Sequence, residues 1–421
     1  MWLVAAQPNG DTAGSVDPDS EARLIREAAE ELAGVVHRTP LDLSATFSRM
    51  TGARVYLKLE NLQKTGSFKV RGAYFRISRL SEEEKRRGVV AASAGNHAQG
   101  VAYAASRVGV RATIVMPETA PQAKVEATRG YGAEVVLHGR VYDDAYKRAV
   151  EIAEETGATF IHPFDDPYVI AGQGTIAVEV EEQLGGAPDL VVVPVGGGGL
   201  ASGVASWLKT RHPQVKVVGV EPAYAPKLSR SLEAGEPVEV AARPGLMDGL
   251  VTKRPGRITF SLLSRLIDDV VTVDDGEVAR AIYMLLERSK TLAEGAGAAA
   301  LAALLSGKIE PPRGARVVVI VSGGNIDMTR LPKVVYYQLV REARVVRIRG
   351  LIPDAPGWLN RVITILANAK LNIIDIRHDR MLPFLEPGWA EVEVVAETPS
   401  HEAVRSVLEE LNGLGLPFKA H

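Results

Sequence analysis

Residues 190–209 read LVVVPVGGGGLASGVASWLK, in which an apolar run is followed by four glycines and then by a helical pattern. The apolar run is typical of a strand that is covered on both faces of a parallel sheet. Four glycines before a helix can direct backbone N–H groups at a phosphate. The alternative is a simple turn with positive φ angles, although one or two glycines would usually satisfy that need. The stretch predicts a strand–loop–helix unit of an α/β protein.

The same alternation extends along most of the chain from Arg54 onward. Short β-branched runs alternate with longer segments whose apolar residues recur every three or four positions. The predicted strands are 89–93, 112–116, 134–138, 190–195, 215–221 and 317–322. The predicted helices include 98–107, 143–155, 169–182 and 275–289. This order indicates an α/β fold with open parallel sheets.

The composition favours small-molecule partners. Among 421 residues, 49 Lys and Arg nearly balance 51 Asp and Glu, so the chain lacks the positive field that attracts nucleic acid or an anionic membrane. There is no cysteine, which excludes disulfides and thiolate metal sites. No apolar run approaches ~20 residues and residues 1–14 lack the basic start of a secretory signal, so we expect a cytoplasmic protein. Residues 7–20, rich in Gly, Asp and Pro, predict a flexible arm.

The pattern changes beyond Lys333, which predicts a second domain. We expect residues 1–340 to form the main domain, with a smaller lobe of about residues 88–163 inserted in a larger one, and residues 345–421 to form the second, joined near residues 337–344. The tail predicts strand 345–350, turn 352–357, helix 358–369, strand 372–378, strand 390–396 and helix 401–411. These five strands and helices follow a βαββα order, which is typical of an α+β domain (βαββαβ-like) rather than of a further parallel unit.

Two further loops follow predicted strands, at the edge where open parallel sheets bind ligands. SAGNHAQG, residues 93–100, leads into a helix that Ser93 or Asn96 could cap. A capped helix alone would explain this loop, and His97 is as readily an ordinary residue of the helix face. SGGN, residues 322–325, places a serine hydroxyl at the tip of a buried strand, although by itself such a sequence is more often a turn.

Lys69 lies between Phe68 and Val70 in GSFKVRGA, residues 66–73. Lysine is rarely buried, so a surface position is the ordinary interpretation. A partly desolvated lysine would have a lowered pKa and could act as a nucleophilic amine. An amine nucleophile, a phosphate loop and a hydroxyl for a ring nitrogen are together what pyridoxal phosphate requires. The combination predicts this cofactor more specifically than any of its parts.

Other chemistries have less support in the sequence. There is no HExxH and no GxSxG, and the glycine run lacks the lysine of a P-loop. The eight histidines are scattered, with none at ligand spacing. We therefore predict no metal site.

Several motifs resemble the threonine dehydratase (threonine ammonia-lyase) family of fold type II pyridoxal-phosphate enzymes. They are KLENLQKTGSFKVRGA (58–73), SAGNHAQG (93–100), AGQGT (171–175), VPVGGGGLASG (193–203) and SGGN (322–325). In this order they extend over most of residues 35–330. The resemblance implies a catalytic domain with two open parallel-sheet lobes and pyridoxal phosphate as its cofactor.

The resemblance also implies a role for individual residues. Lys69 would bind the cofactor as a Schiff base with Phe68 against the ring, Asn96 would bond the 3-oxygen, and Ser322 would meet the pyridine nitrogen. The phosphate would lie on Gly196, Gly197, Gly198, Gly199 and Leu200. Less specifically, Gly249 in MDGL and Glu294 in AEGAG would also line the cofactor site. The substrate would contact Ser93, Ala94, Gly95, Asn96 and His97.

The implied reaction removes water from a β-hydroxy amino acid and then releases ammonia. L-Threonine would give 2-oxobutanoate, the first step of isoleucine synthesis, and L-serine would give pyruvate. Serine dehydratase and serine racemase are alternatives, but racemases of similar sequence have a serine where this chain has Ala94. Their divalent-cation site pairs a glutamate with an aspartate. Here Glu221 is followed by Lys227 at about the aspartate position, which disfavours a metal and allows an ion pair.

Residues 345–421 resemble an ACT regulatory domain, a type whose pairs bind amino acids at their interface. The resemblance implies effector contacts at Asp354 and Gly357 in DAPGWLN and, less specifically, at Asn372. An ordinary Asp-Gly turn explains the first two equally well on local grounds. We expect a branched-chain amino acid or the substrate as an allosteric effector, and a homodimer or homotetramer. An inactive amino-acid sensor is the interpretation from another class, and the intact cofactor motifs argue against it.

Overall fold

The computed structural model describes residues 18–420, which form two compact units that meet in sequence between Asp327 and Met328. The predicted arm lies outside the described residues up to position 17. Residues 18–20 instead begin a helix, because Ile25, Ala28 and Leu32 recur on one buried face of this segment. None of the helices between residues 18 and 420 is both long and apolar enough to span a membrane.

The elements of the first unit alternate as predicted. Its helices are α1 (Pro18–Leu32), α2 (Ala45–Thr51), α3 (Lys69–Ser78), α4 (Glu82–Arg87), α5 (Asn96–Val108), α6 (Gln122–Gly130), α7 (Tyr142–Thr156), α8 (Pro167–Leu184), α9 (Gly199–Arg211), α10 (Lys227–Ala234), α11 (Arg257–Leu266), α12 (Asp275–Ser289) and α13 (Gly295–Leu305). Its strands are β1 (Leu41–Leu43), β2 (Arg54–Leu59), β3 (Val89–Ala92), β4 (Ala112–Met116), β5 (Glu134–Leu137), β6 (Thr159–Phe160), β7 (Leu190–Pro194), β8 (Lys216–Pro222), β9 (Asp269–Val273) and β10 (Arg316–Val321). The six predicted strands and four predicted helices are confirmed, with slightly different ends.

The larger lobe is built on a six-stranded sheet with the strand order β1-β2-β10-β7-β8-β9. β1 is antiparallel to β2, and every other neighbouring pair is parallel. β7 is buried along its whole length, as its apolar run predicts. Its residues Val191 and Val193 pack in a core that also includes residues of α1, α8 and α9. Helices and a parallel sheet thus share one apolar core.

The smaller lobe has a four-stranded parallel sheet with the order β5-β4-β3-β6. Its core joins residues of β3 and β4 to Ala73 and Ile77 of α3 and to the alanine-rich face of α5. The AGQGT motif lies inside α8, where a Cβ on Gly172 would overlap the backbone of Gly72 in α3. The motif therefore allows α8 to pack closely against the helix that begins with Lys69.

The carboxyl ends of four strands from both lobes carry the motifs. β2 precedes the turn before Lys69, β3 precedes the SAGN loop, β7 precedes the glycines and β10 precedes Ser322. Because the strands of each parallel sheet end at the same edge, the topology collects these loops at one edge of each sheet.

The second unit has its own antiparallel sheet. Its elements are α14 (Leu331–Arg341), β11 (Val345–Pro353), α15 (Trp358–Asn368), β12 (Asn372–Asp379), β13 (Trp389–Glu397), α16 (His401–Gly413) and β14 (Phe418–Ala420). The strand order is β12-β13-β11-β14, with all pairs antiparallel. Residues 352–353 extend β11 instead of beginning the predicted turn, because Ile352 and Pro353 continue the pairing with β13. Residues 337–341, part of the predicted junction, belong to α14.

Candidate active site

Lys69 is the first residue of α3 and lies in a partly buried position. Its backbone packs closely against α5, since a Cβ on Gly100 would lie 3.1 Å from the Lys69 carbonyl carbon. Its Nζ donates a hydrogen bond of 2.8 Å to the carbonyl of Pro163 and lies 5.2 Å from the centre of the Phe68 ring. Burial lowers the pKa of Lys69 to about 8, although the charge of Glu294 opposes this shift. Lys69 is therefore an amine that deprotonates near neutral pH.

The four glycines 196–199 connect β7 to α9 and form a cradle of backbone. Gly198 has a φ of 101°, which a side chain would strain, and a Cβ on Gly197 would overlap the Phe164 ring. The helix has no side-chain cap. Within residues 18–420, the backbone N–H groups of residues 196–201 meet no acceptor. Buried N–H groups without a partner are costly, so this loop is suited to an anionic ligand.

Helix α11 keeps the cradle open. The Gly197 carbonyl accepts hydrogen bonds from the Thr259 hydroxyl at 2.7 Å and the Gly256 N–H at 3.3 Å. The carboxylate of Asp165 in turn accepts the N–H groups of the first turn of α11, including those of Ile258 and Thr259. The Gly197 carbonyl thus accepts hydrogen bonds from the protein, whereas the N–H groups of the loop remain available to a ligand.

Asn96 is held by a network of side chains. Its Nδ2 donates to Glu294 Oε1 at 2.5 Å, and its Oδ1 accepts from Asn325 Nδ2 at 2.7 Å. Asn325 also donates to the Thr65 carbonyl at 2.8 Å. This network orients the Asn96 amide. Sequence reasoning did not select Asn325, although it is the last residue of the quoted SGGN motif.

The start of α5 is not capped as predicted. The cap residue is Gly95, without a side-chain hydrogen bond, and the Ser93 hydroxyl instead accepts the Gly95 N–H at 3.1 Å. Neither Ser93 nor Asn96 caps the helix, because the Asn96 amide is engaged by Glu294 and Asn325. The N–H groups of residues 96–98 meet no backbone acceptor within the described chain, and residues 93–96, including Ala94, are partly exposed. This helix N-terminus is open to a carboxylate.

His97 is engaged within the protein. Its ring Nε2 lies 2.9 Å from the Ile161 carbonyl, and the side chain is buried. Burial, with a smaller contribution from Lys69, lowers the pKa of His97 to about 3, so the ring is neutral at physiological pH. The hydrogen bond holds α5 to the end of β6. A substrate contact by this ring stays a prediction.

Ser322 lies beside the turn that carries Lys69. Its carbonyl accepts the Phe68 N–H at 3.2 Å, and Ser67 pairs with Gly323 in an antiparallel bridge. The Ser322 hydroxyl is buried, and among residues 18–420 its one hydrogen bond is a long one, 3.4 Å, to the Ala296 carbonyl. It is therefore available to a ligand heteroatom.

Glu294 and Gly249 also lie against this site. Glu294 precedes α13, and burial, with repulsion from Asp248, raises the pKa of Glu294 to about 7. The Gly249 carbonyl would lie 3.3 Å from a Cβ on Gly196, so it borders the glycine cradle. The structure thus brings the less specific candidates next to Asn96 and the cradle.

Glu221 and Lys227 form the ion pair that the sequence allowed. Their side chains are fully buried, with Lys227 Nζ 3.4 Å from Glu221 Oε2. Residues 18–420 contain no group of three or more His, Asp or Glu side chains arranged to hold a metal ion.

The predicted effector residues belong to two ends of the second unit. Asp354 follows β11 and pairs with Arg380 at 3.0 Å, and Gly357 immediately precedes α15 with a φ of 91°. Asn372 begins β12 and donates to Glu397 at 2.9 Å. Because β11 ends opposite Trp389 while Asn372 aligns with Glu397, the register separates Asn372 from Asp354 by the length of β13.

Comparison with known proteins identifies the class. Residues 32–323 match the family of pyridoxal-phosphate dependent enzymes, and the chain belongs to this family. Its cofactor is accordingly pyridoxal phosphate, and the donor set fits this group: an amine of lowered pKa, a cradle of unpaired N–H groups and an available serine hydroxyl. The two parallel-sheet lobes are those of fold type II enzymes.

Particular relatives are similar over most of the chain. The L-threonine ammonia-lyase of Thermotoga maritima is 48% identical over 385 residues, which are 91% of this chain and 95% of that protein. That of Geobacter sulfurreducens is 47% identical over 394 residues, covering 93% of this chain and 97% of that protein. These alignments are longer than the first unit, so the similarity extends into the second.

Solved structures are similar over about three quarters of this chain. The processed form of threonine deaminase isoform 2 from Solanum lycopersicum has a TM-score of 0.72 and 39% identity, covering 76% of this chain and 94% of that one. Maize serine racemase has a TM-score of 0.71 and 37% identity, covering 78% of this chain and 99% of that one.

Proposed function

We propose that this protein is a threonine ammonia-lyase, which converts L-threonine to 2-oxobutanoate and ammonia. The observation that carries the proposal is Lys69, whose pKa is lowered to about 8 and which lies among an unpaired N–H cradle and the fixed amide of Asn96. The names and identities of the Thermotoga and Geobacter relatives support threonine as the main substrate. L-Serine is a second substrate, giving pyruvate.

The cofactor is held by residues of four loops. Residues 196–200 bind its phosphate, Lys69 binds it covalently, Phe68 lies against the ring, and Asn96 and Ser322 donate to ring heteroatoms. Bound pyridoxal phosphate supplies a conjugated ring that withdraws electrons from the Cα of a joined amino acid. Ser322 is neutral and leaves the ring nitrogen without the full charge that an aspartate would place beside it.

The chain's own groups bind the substrate and move its proton. The open N-terminus of α5 binds the α-carboxylate, because the N–H groups of residues 96–98 meet no backbone acceptor within the described chain. The Lys69 Nζ, once free and unprotonated, accepts the Cα proton. Gly249 and Glu294 complete the wall around the site. The buried Glu294 carboxyl holds the Asn96 amide in place.

Keto-acid release from L-threonine and L-serine tests this function directly. The purified full-length protein with added cofactor is expected to release 2-oxobutanoate with the higher kcat/KM. Release of pyruvate alone would assign a serine dehydratase. No keto acid from either amino acid would leave the amino-acid sensor as the better interpretation.

Serine racemase is the second candidate, because the maize enzyme shares the fold at 37% identity. Ala94 disfavours this activity, since it offers no hydroxyl to return a proton on the second face. Chiral analysis of L-serine turnover is expected to find pyruvate in excess over D-serine. Ala94→Ser is expected to raise the D-serine fraction, and D-serine in excess in the wild-type protein would favour the racemase.

For the tail we propose an ACT regulatory domain at residues 345–421, with residues 1–340 as the catalytic domain. The βαββαβ order of residues 345–420 supports this assignment. An amino-acid effector, branched-chain or the substrate itself, would bind near Asp354 and Gly357, and Asn372 would contribute from a second copy in a homodimer or homotetramer. Deletion of residues 345–421 is expected to abolish the effector response and keep activity. An unchanged effector response in the truncated protein would contradict a regulatory role of residues 345–421. We further propose a cytoplasmic enzyme that acts at the first step of isoleucine synthesis.

A further inference from the structure

A second lysine, Lys227, is as buried as any residue of the first unit and has no part in the function proposed above. It begins α10, and its side chain has no exposed surface. Burying an ammonium is costly, and apolar pairs of similar volume are often at least as stable as buried ion pairs. The contacts of Lys227 therefore need an explanation beyond stability.

The Lys227 ammonium has three neighbouring oxygens, which equals its number of donors. Nζ donates to the Val195 carbonyl at 2.7 Å and to the Ala225 carbonyl at 3.5 Å, and lies 3.4 Å from Glu221 Oε2. The shortest contact is the one to Val195, the residue immediately before the first glycine of the cradle. The ammonium therefore fixes the base of the glycine loop.

Glu221 is held from the side of α10. Its carboxylate accepts the N–H groups of Leu228 at 2.9 Å and Ser229 at 3.0 Å, and the Ser229 hydroxyl at 2.8 Å. The Glu221 carboxylate thus accepts hydrogen bonds from α10, whereas the Lys227 ammonium donates to Val195, next to the glycine loop. This arrangement places the positive charge at the base of the cradle.

The cradle contains no cation of its own. Residues 196–201 are glycines, Leu200 and Ala201, and the side chains around them include Phe164, Thr259 and Leu250, none of which is charged. A phosphate bound by N–H groups alone lacks the lysine that a P-loop provides within its own sequence. Val195 is also fixed on its other side, since its N–H donates to the Val220 carbonyl at 2.7 Å.

We propose that Lys227 is a positioning residue for the cofactor phosphate: its ammonium holds the Val195 carbonyl and adds positive charge beneath the N–H cradle. This inference rests on the proposed assignment of residues 196–200 to the phosphate. It predicts that removing the ammonium weakens binding of the phosphate group and not of the pyridoxal ring.

The test compares the affinities of the full-length apoprotein for pyridoxal phosphate and for pyridoxal, followed by absorbance. Both aldehydes form the same bond with Lys69. The ratio that is followed is the dissociation constant for pyridoxal divided by that for pyridoxal phosphate, and its change between variants reports the contribution of the phosphate. Lys227→Met is expected to lower this ratio by about tenfold or more while leaving pyridoxal affinity unchanged. The matched control is Lys209→Met, which removes another lysine of an ion pair, with Asp268, and is expected to keep the wild-type ratio.

A double variant, Glu221→Leu with Lys227→Met, guards against misfolding of the single variant, because it leaves no buried charge unpaired. The same loss of phosphate preference is expected in it. A wild-type ratio in either folded variant, or an equal loss of affinity for both aldehydes, would overturn the inference. A wild-type protein without preference for the phosphorylated aldehyde would instead refute the cradle assignment itself, and the role of Lys227 with it.

Discussion

Lys69 and Arg71 lie two residues apart at the start of α3, and their side chains have opposite electrostatic environments. Among the described residues, Lys69 donates to a carbonyl and not to a carboxylate, and burial lowers the pKa of Lys69 to about 8. Arg71, two residues later, is also buried but donates to both oxygens of Glu60 and both of Glu179. Burial acts against its charge, but Glu60 and Glu179 outweigh it and raise the pKa of Arg71.

The two environments indicate different roles for these neighbouring residues: Lys69 is suited to react, whereas Arg71 is suited to stabilise the fold. Glu60 and Glu179 also receive Lys58 and Thr39, so the cluster of Lys58, Glu60, Arg71 and Glu179 is a closed network. The Lys69 side is incomplete, with a cradle of unpaired N–H groups and a long Ser322 hydrogen bond. An incomplete polar site is what a ligand completes, whereas a saturated one fixes the fold.

The largest effect is expected for Lys69→Ala. Without the amine there is no covalent bond to the cofactor and no acceptor for the substrate proton, so 2-oxobutanoate release should fall at least about 10³-fold. The unfolding temperature should stay near that of the wild type, since within residues 18–420 Lys69 forms no ion pair and donates to the Pro163 carbonyl. Lys64→Ala, in the exposed part of the same turn, is the control and should keep full activity. Substantial turnover by Lys69→Ala would show that Lys69 is not the reactive lysine.

Arg71→Met should act on stability instead. It leaves the carboxylates of Glu60 and Glu179 without their cation, which is expected to cost about 3–5 kcal/mol in the free energy of unfolding measured with denaturant. Arg87→Met removes an exposed ion pair with Glu83 and should cost less than about 1 kcal/mol. Equal costs for the two variants would mean that the network does not stabilise α3.

Ser322→Ala should have a smaller effect, on catalysis alone. Loss of a neutral hydrogen bond to the ring nitrogen is expected to lower kcat by up to about tenfold, with little change in unfolding temperature. Ser206→Ala, at another fully buried serine, should leave kcat unchanged. Steady-state kinetics on L-threonine compares the two, and an equal kcat for Ser322→Ala and the wild type would exclude Ser322 as a ring partner.

The smallest effect concerns the pH dependence of the apoprotein. The pKa of Glu294 rises from 4.5 to about 7 on folding, so the folded state binds the extra proton and this contribution to stability is lost as pH rises from 4.5 through 7. Lys69, with its pKa lowered, changes stability only above pH 8, in the opposite direction. Glu294→Gln should therefore flatten the decline between pH 5 and 7 in denaturant titrations. An unaltered slope would show that Glu294 titrates normally.

The sequence predicted the elements whose signal is local. The apolar runs of β7 and β10 are typical of strands covered on both faces, and four consecutive glycines before α9 favoured a backbone cradle over a simple turn. The Lys69 assignment depended on motifs far apart in sequence, because nothing within GSFKVRGA separates a reactive lysine from a surface one.

The missed features depend on tertiary contacts. Arg71 reads as an ordinary helix charge until Glu179 of α8 is placed against it. The Pro163 carbonyl that binds Lys69 is a backbone group without a sequence signal. The separation of Asn372 from Asp354 follows from the pairing of β12 with β13, which no local pattern specifies.

The most direct test of the central claim is chemical trapping of the lysine. The purified protein with bound cofactor is reduced with borohydride, digested, and the modified peptide is identified by mass spectrometry. We expect the phosphopyridoxyl group on Lys69, in the peptide that contains GSFKVRGA. A label on Lys58 or Lys227, or no label at all, would contradict the account.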